Sequence, residues 1–139
     1  MPKGPRTKAL VWVVRPGDDA PEVLLLQRTP KRGGAWHPVT GKADKDEAPD
    51  KAALREALEE TGLHGTLQDL RWAHAFETER GPMLEHCFAL HVRMGAEPKL
   101  SDEHVAHRWV PLADAKRELE WPSHLHSLDL LEQALARKV

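Results

Sequence analysis

Between Gly41 and Leu63 the chain reads GKADKDEAPDKAALREALEETGL, which places Glu47 after a glycine turn, then Arg55-Glu56, then Glu59-Glu60 closing on Thr61-Gly62. On an α-helix, residues three and four apart are neighbours, so Glu56 lies beside both Glu59 and Glu60. Without a counter-ion that spacing is repulsive, by a few tenths of a kcal/mol per pair, ~0.3 on an exposed helix. A hard divalent cation reverses the sign. Mg²⁺ or Mn²⁺ prefers oxygen ligands and is typically held by a few carboxylates together with the phosphates of a substrate, so the pattern points to phosphate chemistry.

Glu47 and Arg55 form the second layer of the pattern. A bidentate contact between them would lock the loop against the helix, and Gly41, without a side chain, lets the backbone approach and offer its carbonyl to a metal. An EALEE run alone is most often a solvated helix face, since Glu and Arg are good helix formers. The spacing argues otherwise here, because seven fixed positions at fixed gaps arise by chance on the order of 10⁻⁸ per starting point.

These residues resemble the Nudix box: Gly, five residues, Glu, seven residues, Arg-Glu, an apolar residue, any residue, Glu-Glu, any residue, Gly, apolar residue. Gly41, Glu47, Arg55, Glu56, Ala57, Glu59, Glu60, Gly62 and Leu63 match in register. The resemblance implies an α/β/α sandwich with a mixed β-sheet and hydrolysis of a nucleoside diphosphate linked to another moiety. It implies Mg²⁺ or Mn²⁺ on Glu56, Glu59 and Glu60, commonly with the Gly41 carbonyl, a metal-activated water, and a carboxylate as general base.

Outside the box, Trp36, Val39 and Thr40 before Gly41, the run Glu103-His104-Val105-Ala106-His107-Arg108-Trp109, and Trp121 with Ser123 resemble bacterial dihydroneopterin triphosphate diphosphatases. Glu103 sits in the polar SDEH loop, where a further carboxylate would complete a metal site or act as base. Arg28 and Lys42 are candidates to meet substrate phosphates. Trp36, Trp72 and Trp121 are candidates to stack on a planar base, although with two phenylalanines and no tyrosine the tryptophans must also fill the core. The pairs His104/His107 and His124/His126 lack a third ligand in sequence and read as solvated histidines.

The elements that must position these residues follow from pattern. Residues 1–6 read as loose, a strand is expected over Thr7–Arg15, and Val23-Leu24-Leu25-Leu26 reads as a buried strand running into Gln27 and Arg28. TPKRGG reads as a loop and AWHPVTG as an extended lead into Gly41. Pro49 at a first helical position and Gly62 at a stop bound a helix over Pro49–Thr61. Leu67–Glu79 and Met83–Arg93 read as a hairpin, with Leu84, His86, Phe88, Leu90 and Val92 on one face of the second strand. A short strand at Arg108–Val110, a small helix in PLADAKREL and an amphipathic C-terminal helix built on Leu125, Leu128, Leu131 and Leu135 complete the expected order.

Composition bounds the reading. The 139 residues suit one domain with a real core. A net charge of -2 leaves no global basic field for nucleic acid, so a polyanionic ligand must meet local cations or metal. Cys87 is the only cysteine, which excludes an intrachain disulfide and suits a cytoplasmic location. The run ALVWVV is too short for a signal-peptide core or a membrane span, so neither membrane nor nucleic acid is expected as a partner, and a homodimer is left open.

The leading expectation is Mg²⁺-dependent hydrolysis of a nucleotide-like triphosphate, dihydroneopterin triphosphate or an NTP or dNTP, to a monophosphate and pyrophosphate. The rivals are hydrolysis of a dinucleoside polyphosphate or a nucleoside diphosphate sugar, and a non-catalytic nucleotide-sensing Nudix module.

Overall fold

A computed structural model describes residues 5–137. Seven strands form one sheet: β1 (Arg6–Arg15), β2 (Glu22–Arg28), β3 (Trp36–His37), β4 (Val39–Lys42), β5 (Thr66–Thr78), β6 (Gly81–His91) and β7 (His104–Pro111). The path runs β3-β2-β1-β6-β5, with β4 paired to β1 and β7 to β2. β1 and β6 are parallel and the other pairings antiparallel, so the sheet is mixed.

Helix α1 (Pro49–Thr61) covers one face and α3 (Pro122–Ala136) the other, with α2 (Leu112–Ala115) between β7 and α3. Alternation along β1 divides the core. Ala9, Val11 and Val13 meet Ala52, Ala53 and Ala57 of α1, whereas Leu10, Trp12 and Val14 meet Leu128, Leu131 and Ala134 of α3. The small residues of α1 let its backbone lie close to the sheet, which carries its glutamates to the sheet's end. Trp12 Nε1 donates to Ser127 Oγ at 2.8 Å, satisfying the indole of a fully buried ring.

The helix over Pro49–Thr61 has the bounds the sequence predicts. Gly62 ends it with φ 70°, a left-handed conformation that glycine adopts without a Cβ penalty, and its N–H donates to Leu58 O at 2.8 Å. Four expectations are corrected. Residues 1–4 lie outside the described residues, but Arg6, read as loose, is in β1 and donates to Thr78 Oγ1 at 2.8 Å. TPKRGG contains a turn of 3₁₀ helix over Pro30–Arg32.

The strand expected at Arg108–Val110 extends over His104–Pro111, because β2 pairs with it from Glu22↔Pro111 to Arg28↔His104. In β6, Phe88 and Leu90 face α1, as does Val92 just past the strand's end, but Cys87 and Ala89 are buried against α3, and Leu84 and His86 are only half-buried. A strand covered on both faces has no clean alternation. No helix among the described residues is long and apolar enough to cross a membrane.

Candidate active site

The end of β4, the last two turns of α1 and the loop before β7 enclose a cavity of about 400 Å³. Glu56, Glu60 and Glu103 line it together with Gly41, and four cations, Lys8, Arg28, Arg32 and Lys42, face the same space. Cross-strand register brings them there. Lys8 of β1 stands opposite Lys42, Ala9 opposite Gly41, and Arg28 of β2 opposite His104.

Gly41 lies against the Glu56 carboxylate so closely that a Cβ at this position would overlap Glu56 Cδ and Oε2. The glycine is therefore required by contact rather than by backbone angle. Gly41→Ala is expected to displace Glu56 and cut turnover by about 10²-fold, the usual cost of a misplaced group in a preorganised site. Steady-state kinetics beside a thermal melt would check it; a folded variant with the wild-type rate would mean that Glu56 is not needed where it stands.

Arg55 joins the loop to the helix. Its Nε and Nη2 donate to the two oxygens of Glu47 at 2.8 and 2.9 Å, Nη2 also donates to Lys42 O at 3.0 Å, and Nη1 donates to Glu56 Oε1 at 2.8 Å and Glu59 Oε2 at 3.0 Å. The paired guanidinium, followed by the Asp44 backbone N–H, holds the Glu47 carboxyl down at about 2. Glu47, and then Glu56, push the Arg55 guanidinium up.

Glu60 is only 3% exposed, and its Oε2 is buried without a hydrogen-bond partner. Burial first, then the neighbouring Glu56 and Glu103 carboxylates, push its carboxyl up to about 9. One ligand atom from each of Glu60, Glu103 and His104 lies within 4.8 Å of the others. A divalent cation fits this group: it would supply the partner Glu60 lacks and offset three crowded carboxylates.

His104 and His37 meet through their Nε2 atoms at 3.0 Å, one donating to the other's lone pair. Burial lowers His104, and burial followed by the charge of Arg28 lowers His37 to about 3, so both imidazoles are neutral. His124, also buried, is lowered to about 4 by burial and then by Lys8. His104 and His124 are thus not the solvated residues the sequence suggests: β7 and α3 turn them inward, while His126 is exposed.

The other sequence candidates divide. Arg28, Lys42 and Glu103 line the cavity. Glu59 does not; its side chain is 57% exposed, and Arg55 Nη1 holds it beside Glu56. Trp36 packs on the α3-side core with Arg108 over its ring at 5.2 Å, away from the cavity. Trp72 joins the same core and meets His126 edge-on. Lys8, Arg32 and His37 line the cavity without having been singled out in the sequence. Lys8 and His37 were detectable only through strand register, which periodicity does not report.

The fold is an α/β sandwich whose cavity sets carboxylates of one helix and of the loop before β7 against cations of β1, β2, β4 and the 3₁₀ turn. The chain belongs to the Nudix family: the NUDIX domain model matches residues 4–131.

Over 118 residues the chain is 42% identical to the octanoyltransferase of Myxococcus xanthus, covering 82% of this chain and 33% of that protein. It is 29% identical over 117 residues to the CTP pyrophosphohydrolase of Escherichia coli strain K12, covering 83% of each. The dihydroneopterin triphosphate pyrophosphohydrolase of E. coli has the same fold, with a TM-score of 0.76 at 23% identity over 91% of this chain and 96% of that one. The chain spans 33%, 48% and 30% of the lengths of the first curated relatives it matches.

Proposed function

We infer that this protein hydrolyses a phosphoanhydride in a nucleotide-like triphosphate, releasing a monophosphate and pyrophosphate. The observation that carries the reading is Glu60, a buried carboxylate with a partnerless oxygen, set beside Glu56 and Glu103 in a cavity that four cations share. Glu56, Glu60, Glu103 and the Gly41 carbonyl would hold Mg²⁺ or Mn²⁺, with Glu59 as the outer carboxylate that Arg55 keeps alongside. When bound, the ion supplies charge neutralisation on phosphoryl oxygens and lowers the pKa of water.

The residues of the chain do the rest. Lys8, Arg28, Arg32 and Lys42 neutralise the polyphosphate and orient it. A water oxygen bonds to phosphorus as the bridging P–O bond breaks, and pyrophosphate leaves with that oxygen. Glu103, an exposed carboxylate of the cavity next to Glu60, would take the water's proton, whereas Glu60 is buried and holds a proton of its own until a cation arrives. Buried Cys87, the sole cysteine, suits a cytoplasmic protein.

The relatives support the chemistry unequally. A pyrophosphohydrolase matched over most of both chains favours this reading. The transferase name belongs to a protein of which this chain covers a third, and acyl transfer has no counterpart among the cavity's residues.

Incubating the protein and Mg²⁺ or Mn²⁺ with triphosphates, dinucleoside polyphosphates and nucleotide sugars, and identifying the products, tests the reading. Pyrophosphate with a monophosphate is expected from triphosphates; turnover confined to the other two classes would overturn it. Glu103→Gln is expected to lower kcat by about 10²- to 10⁴-fold, the usual worth of a general base, with KM little changed. A wild-type kcat would return Glu103 to a solvated loop residue.

A further inference from the structure

The acidic cavity adjoins a second one of about 360 Å³ that shares Lys8, Arg28 and Thr40 with it. This second space lies on the α3 side of the sheet, bounded by β5, β6 and the start of α3. Its walls are aromatic. His74 and Phe76 stack at 5.2 Å with 24° between their planes, and Trp121 is 43% exposed at the mouth, its ring edge-on to His124. Among these rings sits Glu85, only 4% exposed. Lys8 Nζ lies 3.7 Å from its Oε2, and among the described residues no side chain donates it a hydrogen bond.

A carboxylate buried beside aromatic rings, with one distant cation and open acceptor positions, asks for donors. The position of the cavity says where they come from. A triphosphate whose phosphates meet the first cavity's cations places its organic half past Lys8 and Thr40, in the second.

We propose that this cavity seats a planar 2-amino-4-oxo heterocycle, the edge common to guanine and pterin, with Glu85 as the specificity-determining residue and Trp121 as the stacking face. The proposal rests on the triphosphate hydrolysis inferred above. An ionised carboxylate only accepts hydrogen bonds. The 2-amino-4-oxo edge presents a ring N–H beside an amino group, two parallel donors that match both carboxylate oxygens as an arginine fork does. Adenine and cytosine set a ring lone pair beside their amino group, and uracil flanks its one N–H with carbonyl oxygens, so each brings an acceptor against the acceptor. A site built for a hydrogen bond discriminates strongly against a ligand that leaves it unmade. Stacking on Trp121 is tolerant of base identity, so it sets affinity while Glu85 sets choice. Lys8 lines both cavities, which ties placement of the base to placement of the phosphates.

Two measurements test this. The first is kcat/KM for GTP, ATP, CTP, UTP and 7,8-dihydroneopterin triphosphate. The second is calorimetric binding of GMP, AMP, CMP and UMP without divalent metal. The expected result is a preference of about tenfold or more for the 2-amino-4-oxo compounds in both, and whichever of GTP and the pterin has the higher kcat/KM identifies the source of the edge. Glu85→Gln is expected to bring the bases within about threefold of one another, while Trp121→Ala weakens all of them alike.

A wild-type preference for adenine, cytosine or uracil would overturn the proposal, as would a Glu85→Gln protein of unchanged Tm that keeps the preference for guanine. If that variant does not fold, the wild-type profiles decide. Selective GMP binding with no triphosphate turned over would uphold the base assignment and overturn the hydrolysis reading instead.

Discussion

Glu60→Gln is expected to leave the fold intact and to lower turnover on the order of 10²- to 10³-fold, the scale seen when one preorganised electrostatic partner is removed. Glu60 is buried, with one oxygen lacking a hydrogen-bond partner, and its carboxyl is pushed up to about 9 by burial and by Glu56 and Glu103. At neutral pH without metal it is therefore the neutral acid, for which glutamine is nearly isosteric. The variant loses little stability but loses the ability to become the anion that a cation requires.

The raised Glu60 carboxyl also sets a pH dependence. The folded Glu60 carboxyl titrates far above its unfolded value of 4.5, so the native state binds the extra proton and metal-free stability falls as pH rises from about 4.5 towards 9. His37 and His124 act with the opposite sign. Their folded values, about 3 and about 4, lie below 6.5, and stability is lost as pH falls from 6.5 through those values. From about pH 7.5 both histidines are neutral folded or unfolded, so the window from there to about 8.5 reads Glu60.

Melts there should show the wild type losing Tm with rising pH, a flatter profile for Glu60→Gln, and Mn²⁺ raising Tm in the wild type more at the alkaline end. Near-normal rates in the variant with Mg²⁺ would remove Glu60 from the proposed metal site; parallel pH profiles would mean that its proton is not what the melts report.

How much of this site the sequence disclosed follows from what fixes each residue. Gly41, Glu47, Arg55, Glu56 and Glu60 are organised by one helix and the loop that enters it, a local geometry that spacing encodes directly; the predicted helix bounds agree with α1. Glu59 shares that spacing but not that environment. One residue short of Glu60 around the helix, it turns outward, where Arg55 collects it. The sheet-borne half was less legible.

Lys8 reaches the cavity through the pairing of β1 with β4, and His104 through the pairing of β7 with β2, contacts between segments far apart in the chain. The full length of β7 is not legible in the sequence because His104, His107 and Arg108 obscure its strand pattern. Glu85 is hidden for a related reason. It interrupts the apolar residues of β6, and only Lys8 on the parallel neighbour and the rings of β5 and α3 make it part of a site.

Arg55→Lys keeps the charge and is nevertheless expected to cost about 10²-fold in kcat and about 1–2 kcal/mol in stability. The guanidinium serves four groups at once: both oxygens of Glu47, the Lys42 carbonyl, Glu56 and Glu59, all at 2.8 to 3.0 Å. A lysine ammonium has three donors on one atom and cannot reach across that span. Whichever carboxylates it leaves unpaired are then free to rotate, and Glu56, which lies against Gly41, is the one whose displacement reaches the cavity.

The stability figure stays modest because the network is partly exposed, with Arg55 at 27% and Glu47 at 16% of side-chain area. The activity loss is larger because it depends on position, and KM and kcat should fall apart accordingly, kcat taking most of the change. Acid denaturation gives an independent readout. The Arg55 bond holds Glu47 at about 2 against an unfolded 4.5, a contribution present above 4.5 and lost as pH falls towards 2. Weakening the bond shrinks that contribution, so at pH 5 to 7 the variant is the less stable protein, and the gap closes as pH falls from 4.5 towards 2. Glu47→Gln combined with Arg55→Lys should then cost less than the two single changes added together, because both break the same contact. Additive costs, or a wild-type kcat in Arg55→Lys, would mean that the loop and the helix hold their geometry without this guanidinium.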